Sequence, residues 1–174
     1  MLTVMSMDST STDTESINSN SSGHRKITPI TPVPFTTEIY NPKTPVEVPV
    51  RGFTYGQRLR VVVIPSDKKD KKFHINLKSG HDIVVHFNPR LKDKSLVFNS
   101  YYHGGWQTEE RASVVFPFEA KEIYTVEFVA TGHNSVTVHV NGKHLYEFRE
   151  RQSGWSVTSI EVGGDVHVHS VHIG

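Results

Sequence analysis

The sequence predicts an all-β domain, an antiparallel sandwich of two sheets. From Phe35 onward apolar residues alternate with polar ones at period two. The apolar stretches are rich in Val, Ile, Phe and Tyr and are short, recurring at roughly ten-residue spacing between turn signals. No stretch carries the 3.6-residue periodicity of an amphipathic helix.

Taken in order, residues 1–23 hold 11 Ser or Thr and no aromatic residue. Such a segment buries too little apolar surface to offset its ordering entropy, so it is expected to be disordered. Thr28-Pro29, Thr31-Pro32 and Val33-Pro34 make the following segment Pro-rich and extended. Residues 1–34 are therefore expected to be a tail and 35–174 the packed domain, opened by Phe35. Strands are expected over Arg60–Ile64, Phe73–Leu77, Asp82–Phe87, Ser95–Asn99, Ala112–Phe116, Tyr124–Val129, Val136–Val140, His144–Phe148 and Val166–Ile173. Turns are expected at Lys78–His81, Gly104-Gly105, Thr131–Asn134, Asn141-Gly142 and Gly163-Gly164. Asn141-Gly142 is the sharpest of these, because a type I′ hairpin needs positive φ at both central positions. In the last strand, Val166 and Val168 share a face, and so do Val171 and Ile173. The two pairs are out of phase unless one residue is inserted, which predicts a β-bulge at His169–Ser170.

Composition narrows the function. The 19 Lys+Arg against 18 Asp+Glu leave a formal net charge of +1, unlike the basic excess of a dedicated nucleic-acid binder. Cysteine is absent, which excludes disulfides, thiolate metal sites and a thiol nucleophile. No apolar run is long enough to span a membrane as a helix, and the N-terminus lacks a secretory-signal pattern. The run Lys68-Lys69-Asp70-Lys71-Lys72 is expected to be a solvated turn between strands.

The residues that carry chemistry lie between His86 and Arg111. In a strand through Val84–Arg90, His86, Asn88 and Arg90 share one face while Val85 and Phe87 face the core. In the next strand Val97 and Asn99 face outward. After the loop Tyr101–Gly105 comes Trp106, and then Glu109, Arg111 and Ser113 on one face. If these strands are neighbours, one surface gathers amides, a carboxylate, guanidinium forks and an indole. Such a set suits a sugar. Hydroxyls donate and accept together and match planar polar groups, while the C–H face of a pyranose packs on an aromatic ring.

His86-Phe-Asn88-Pro-Arg90, Val97-Phe-Asn99 and Trp106-Gln-Thr-Glu109-Glu-Arg111 resemble the β-galactoside-binding signature of the galectins. The resemblance runs from Phe35 to Ile173. It takes in Val115-Phe116-Pro117-Phe118, the Val140-Asn141-Gly142 hairpin and a final strand from Ile160 to Ile173. It implies a jelly-roll sandwich of the galectin and concanavalin kind and a lectin that is not an enzyme, with no cofactor and no metal. His86, Asn88 and Arg90 would bind the axial 4-hydroxyl of galactose. Asn99 and Glu109 would bind the 6-hydroxyl, Trp106 would stack on the ring, and Glu109 and Arg111 would reach the neighbouring sugar. Gln107 departs from the Gly that many members carry there, and His103 lies in the loop before Trp106, where a ligand contact is open. The implied partners are β-galactosides of glycoproteins or glycolipids, with lactose and N-acetyllactosamine as type ligands. A homodimer is among the assemblies the family uses, and nucleic acid and membrane insertion are not expected. The implied location is the cytoplasm, with export that bypasses the signal-peptide route.

Rival readings are weaker. Glu109 and Glu110 are adjacent, so strand geometry turns them to opposite sides and they cannot flank one glycosidic bond. His167, His169 and His172 are expected on the solvent side of the last strand, as are His74, His139 and His144 on theirs, without converging on a metal. A protein-interaction module of the same fold without sugar binding is the alternative function.

Overall fold

The computed structural model describes residues 35–174, which form thirteen β-strands in two antiparallel sheets. The expectations for residues 1–34 lie outside the described residues. The strands are β1 (Thr37–Tyr40), β2 (Val46–Pro49), β3 (Arg58–Pro65), β4 (Phe73–Ser79), β5 (Asp82–Arg90), β6 (Ser95–Tyr102), β7 (Gly105–Trp106), β8 (Glu110–Arg111), β9 (Tyr124–Ala130), β10 (Ser135–Val140), β11 (Lys143–Arg149), β12 (Ser159–Gly164) and β13 (Val166–Ile173). One sheet has the order β1-β13-β3-β9-β10-β11. The other runs β2-β12-β4-β5-β6-β7, with β8 also pairing β6.

Alternation places the core between the sheets. Phe73, Phe87 and Phe98 of one sheet and Phe128 and Phe148 of the other are fully buried. Phe87 meets Phe98 and Phe128 with ring centroids 5.5 and 5.6 Å apart. The Asn141-Gly142 hairpin has φ of 52° and 83°, as a type I′ turn demands.

Val168 lies opposite Val63 and Ser170 opposite Val62, so His169 is the extra residue of a bulge in β13, where the sequence pattern required one. Val166, Val168, Val171 and Ile173 all reach the core.

Several expectations are corrected. Ala112–Phe116 is not a strand, and Ser113 does not continue the face of Glu109 and Arg111 as a ladder. Ala112 N–H donates to Leu96 O at 3.0 Å, and one residue further back β6 begins, so no ladder partner remains. Val115 is left 90% exposed, and the chain turns back through Pro117 to bury Phe118. The single final strand over Ile160–Ile173 is two strands in different sheets. Gly164, at φ 92°, makes the crossing, and a Cβ there would stand 2.8 Å from Lys72 O. His172 is buried, not solvent-facing, because the edge strand β1 pairs with β13 and brings Phe35 and Tyr40 over its ring, at 5.3 and 5.7 Å. Its Nδ1–H donates to Glu38 at 2.8 Å, and its Nε2 is bonded to Ser170 Oγ at 2.9 Å. Gly105 is a strand residue, not half of the turn. The turn is His103-Gly104, with φ of 56° and 75°.

Candidate functional site

The site is built on β4, β5 and β6 and on the two short strands that share the outer edge of β6. Between Ile83, opposite Tyr101, and His86, opposite Asn99, β5 holds one residue more than β6. This bulge sets the phase that turns His86, Asn88 and Arg90 outward together. Val97 lies opposite Asn88 on one side and Arg111 on the other, and it is fully buried, not open on the outer face as alternation alone implied. On the edge of β6, β7 pairs at Tyr101 and Tyr102 and β8 pairs at Val97 and Phe98. The segment between them arches out and carries Glu109 to the trough.

Each polar group is oriented by a partner and keeps capacity for a ligand. Asn76 Nδ2 donates to Glu161 Oε1 at 2.9 Å, which turns Asn76 Oδ1 toward His86. A carbonyl oxygen only accepts, so the His86 Nδ1 at 2.6 Å is the protonated nitrogen and Nε2 is an acceptor. Burial, followed by the nearby positive charges of His74 and Arg90, lowers the His86 pKa to about 4. The ring is therefore neutral at neutral pH, and no group among the described residues occupies Nε2.

Asn88, only 7% exposed, has a structural task first. The β4–β5 register, with Ile75 opposite Phe87 and Lys72 opposite Arg90, places Phe73 opposite Pro89. Proline has no N–H to give, and Asn88 Nδ2 donates to Phe73 O at 2.8 Å in its stead. Asn88 Oδ1 accepts from Arg90 Nε at 2.9 Å, and Arg90 Nη2 donates to Glu109 Oε2 at 2.8 Å. Arg111 Nη2 donates to the other oxygen of Glu109 at 3.3 Å. These cations, the Arg90 bond foremost, hold the Glu109 carboxyl below its ordinary pKa. Three of the five Arg90 N–H groups and a lone pair on each Glu109 oxygen remain available.

Asn99 donates from Nδ2 to Gln107 O at 3.0 Å, while its Oδ1 accepts from Arg151 Nη1 at 3.0 Å. One Nδ2 hydrogen is left for a ligand. Trp106 is 52% exposed, with its ring centroid 4.6 Å from that of His86 and 5.3 Å from that of Tyr101. The trough lined by His86, Arg90, Asn99, Trp106, Gln107 and Glu109 is shallow and open. Thus five of the seven residues singled out in the sequence, His86, Arg90, Asn99, Trp106 and Glu109, line one depression, and Asn88 joins through Arg90. Arg111 joins through Glu109 at its far side.

Sequence reasoning missed four supporting residues. Asn76 and Glu161 fix the His86 tautomer, and Asn76 was detectable because it shares the outward face of His74 in the Phe73–Leu77 alternation. Gln107, noted only as a departure, donates from Nε2 to Tyr102 O and Gly105 O at 3.1 and 3.0 Å and so ties the Trp106 hairpin shut. Arg151 lies in the loop after β11. It bonds Asn99, Ser100 Oγ at 3.3 Å and Glu110 Oε1 at 3.0 Å. No local pattern could announce that contact across 52 residues. Glu110 faces away from Glu109, as expected, and also accepts from the Tyr146 hydroxyl. His103 sits exposed at the hairpin tip.

An open trough of pre-oriented donors and acceptors beside an exposed indole defines a carbohydrate-binding sandwich, and relatives show which kind. The family profile described as galactoside-binding lectin matches residues 44–173. Galectin-7 of Rattus norvegicus is 36% identical over 135 residues, which cover 75% of this chain and 95% of that one. Galectin-4 of Sus scrofa is 31% identical over 137 residues, and there the match spans 77% of this chain and only 42% of the relative. The crystal structure of the Caenorhabditis elegans galectin LEC-6 superposes with a TM-score of 0.74 at 45% identity, covering 82% of this chain and 99% of that one. The chain belongs to the galectins, the β-galactoside-binding lectins, a family without enzymatic activity.

Proposed function

We propose that this lectin binds lactose and N-acetyllactosamine-type glycans through His86, Asn88, Arg90, Asn99, Trp106, Glu109 and Arg111. The observation that carries the reading is the hydrogen-bond chain from Glu161 through Asn76 to His86, which leaves Nε2 as a buried-edge acceptor beside the Arg90 donors. An axial 4-hydroxyl donates to one and accepts from the other. An equatorial 4-hydroxyl misses both, so glucose leaves desolvated groups unpaired. Asn99 and Glu109 serve the 6-hydroxyl and Trp106 the ring face, and Glu109 and Arg111 reach the next sugar.

With one stacked ring and several water-competing bonds, a Kd of roughly 10 μM to 1 mM is expected. Titration calorimetry with lactose should give heat that maltose does not reproduce. Silence at several millimolar lactose would overturn the reading and leave the interaction module. The domain boundary belongs to the same proposal, with residues 35–174 as the recognition domain and 1–34 as a tail that sugar binding does not need. One such site bridges no two glycans, so cross-linking requires self-association or another partner, and sedimentation tests for a homodimer. Cytosolic synthesis with export independent of a signal peptide rests on family membership alone, as does the absence of nucleic-acid and membrane partners.

A further inference from the structure

The loop after β11 crosses from one sheet to the other, because β11 and β12 belong to different sheets. It is tied to the β4–β5 turn on its way. Thr158 N–H donates to Lys78 O at 2.7 Å, and Gly80 N–H donates to Thr158 Oγ1 at 2.9 Å. Beside that junction β5 is irregular. Leu77 lies opposite Val85 and Lys78 opposite Ile83, so Val84 has no partner on β4. A bulge bends its strand and breaks the ladder. Here a pocket of about 240 Å³ lies between the start of β5, the end of β6 and the crossing loop. No residue that lines it lines the trough. The two walls touch only where Arg151 Nη1, on the pocket side, donates to Asn99 Oδ1 at 3.0 Å.

The pocket wall has an apolar part and a charged part. Ile83, Val84, Tyr102 and Trp155 supply apolar surface, and Trp155 also packs against the core. The charged residues are Asp82 and Arg151. Arg151 is committed internally. Its Nη2 donates to Glu110 Oε1 at 3.0 Å, and its Nη1 serves Asn99 and Ser100 Oγ. Asp82 is half-buried and has no ion pair and no side-chain hydrogen bond among the described residues. Lys78, the cation beside the turn, is paired with Glu47 at 3.3 Å. The uncommitted charge of the pocket is therefore one carboxylate. A carboxylate partly withdrawn from water favours a cation, and an ammonium beside aromatic rings gains further.

We propose that this pocket binds a primary ammonium group carried on a short apolar chain, with the ammonium on Asp82 and the chain along Ile83, Val84 and Trp155. An ammonium has three donors. Asp82 accepts through two oxygens, and Ser79, which lies opposite Asp82 and also lines the pocket, offers a hydroxyl. The volume is below that of a drug-sized site and suits a chain of a few carbons. A free diamine and a lysine side chain of a protein partner share this chemistry. The inference does not depend on the sugar reading.

The chain holds two tryptophans, Trp106 at the trough and Trp155 at the pocket. Trp155 Nε1–H is buried without a hydrogen-bond partner among the described residues, so its signal is set by what enters beside it. Two indole N–H signals in an NMR spectrum of the full chain thus report the two sites separately, and Trp106→Ala assigns them. At low ionic strength cadaverine should move the Trp155 signal and leave that of Trp106 in place, with a Kd of roughly 0.5–5 mM. The neutral isostere 1,5-pentanediol should bind at least about fivefold more weakly, and 0.5 M salt should weaken cadaverine. Asp82→Asn, nearly unchanged in shape, should also cost cadaverine about fivefold and leave lactose within twofold. The same shift with Nα-acetyl-lysine N-methylamide extends the site to lysine side chains, and a shift with cadaverine alone restricts it to free amines. Equal binding of cadaverine and the diol, unchanged cadaverine affinity in Asp82→Asn, or no Trp155 shift at several tens of millimolar cadaverine would overturn the site. The diol and salt comparisons need no variant. Failure of lactose to move the Trp106 signal would instead sink the sugar reading and leave this inference standing.

Discussion

Each sheet carries one polar rung across its outer face, and the two rungs differ in where their hydrogen bonds end. On the sheet away from the trough, Glu38, His172, Arg60, Glu127, His139 and His144 lie opposite one another in sequence across β1, β13, β3, β9, β10 and β11. The hydrogen bonds of its Glu38, His172, Arg60 and Glu127 end on internal partners. Glu127 takes Arg58 at 2.8 Å and Arg60 at 2.7 Å, and both nitrogens of His172 are used. On the trough side the rung is Glu47, Glu161, Asn76, His86 and Asn99. There His86 donates to Asn76 and Asn76 to Glu161, which leaves His86 Nε2 as an open acceptor beside Arg90 and an exposed indole. Polar residues on a sheet face therefore stabilise the protein when their partners are internal. They bind a ligand when the internal partners orient them and leave the last position open.

The sharpest way to break this contrast is to remove the open end. Trp106→Ala and Arg90→Ala should each abolish measurable lactose binding in calorimetry, because the stacking surface or the charge-assisted donors disappear. Both side chains are partly or largely exposed, so the melting temperature should move little. Unfolding of either variant would mean that the residue supports the core.

Glu127→Ala should do the reverse. It removes the acceptor of two guanidinium groups from a carboxylate whose side chain is only 8% exposed, and should cost about 1–3 kcal/mol in urea unfolding. Lactose affinity should stay within twofold. A large fall in affinity would show that the two faces are coupled.

Asn76→Ala releases the His86 tautomer and should weaken lactose roughly three- to tenfold, about the worth of one oriented hydrogen bond. The same relay sets a pH profile. The folded pKa of His86 is lowered from 6.5 to about 4, so the unfolded chain binds more protons between those values. This group's contribution to stability is complete above about pH 6.5 and is lost as pH falls toward 4. Lactose affinity, which needs the neutral ring, should hold from pH 7 to 5 and collapse near 4. A midpoint near 6.5 in a titration followed by the His86 NMR signal would refute the buried, neutral ring.

The smallest effect is expected where neither rung is touched. A chain beginning near Thr31 should bind lactose like the full chain, and a tenfold loss would give the tail a part in the site.

The sequence by itself determined the two-sheet sandwich, because period-two burial and I′ turn chemistry are local. It determined the face shared by His86, Asn88 and Arg90, and through the phase slip between Val168 and Val171 it determined the bulge in β13. Tertiary structure alone decided which outward residues become buried. His172 is outward in phase yet covered by β1, and Val97 is outward yet closed over by its neighbours. It also decided the roles of Asn76, Glu161 and Arg151, since register between strands distant in sequence chooses hydrogen-bond partners. A strand's alternation says which way a side chain points, and only the neighbouring strand and loop say what it meets there.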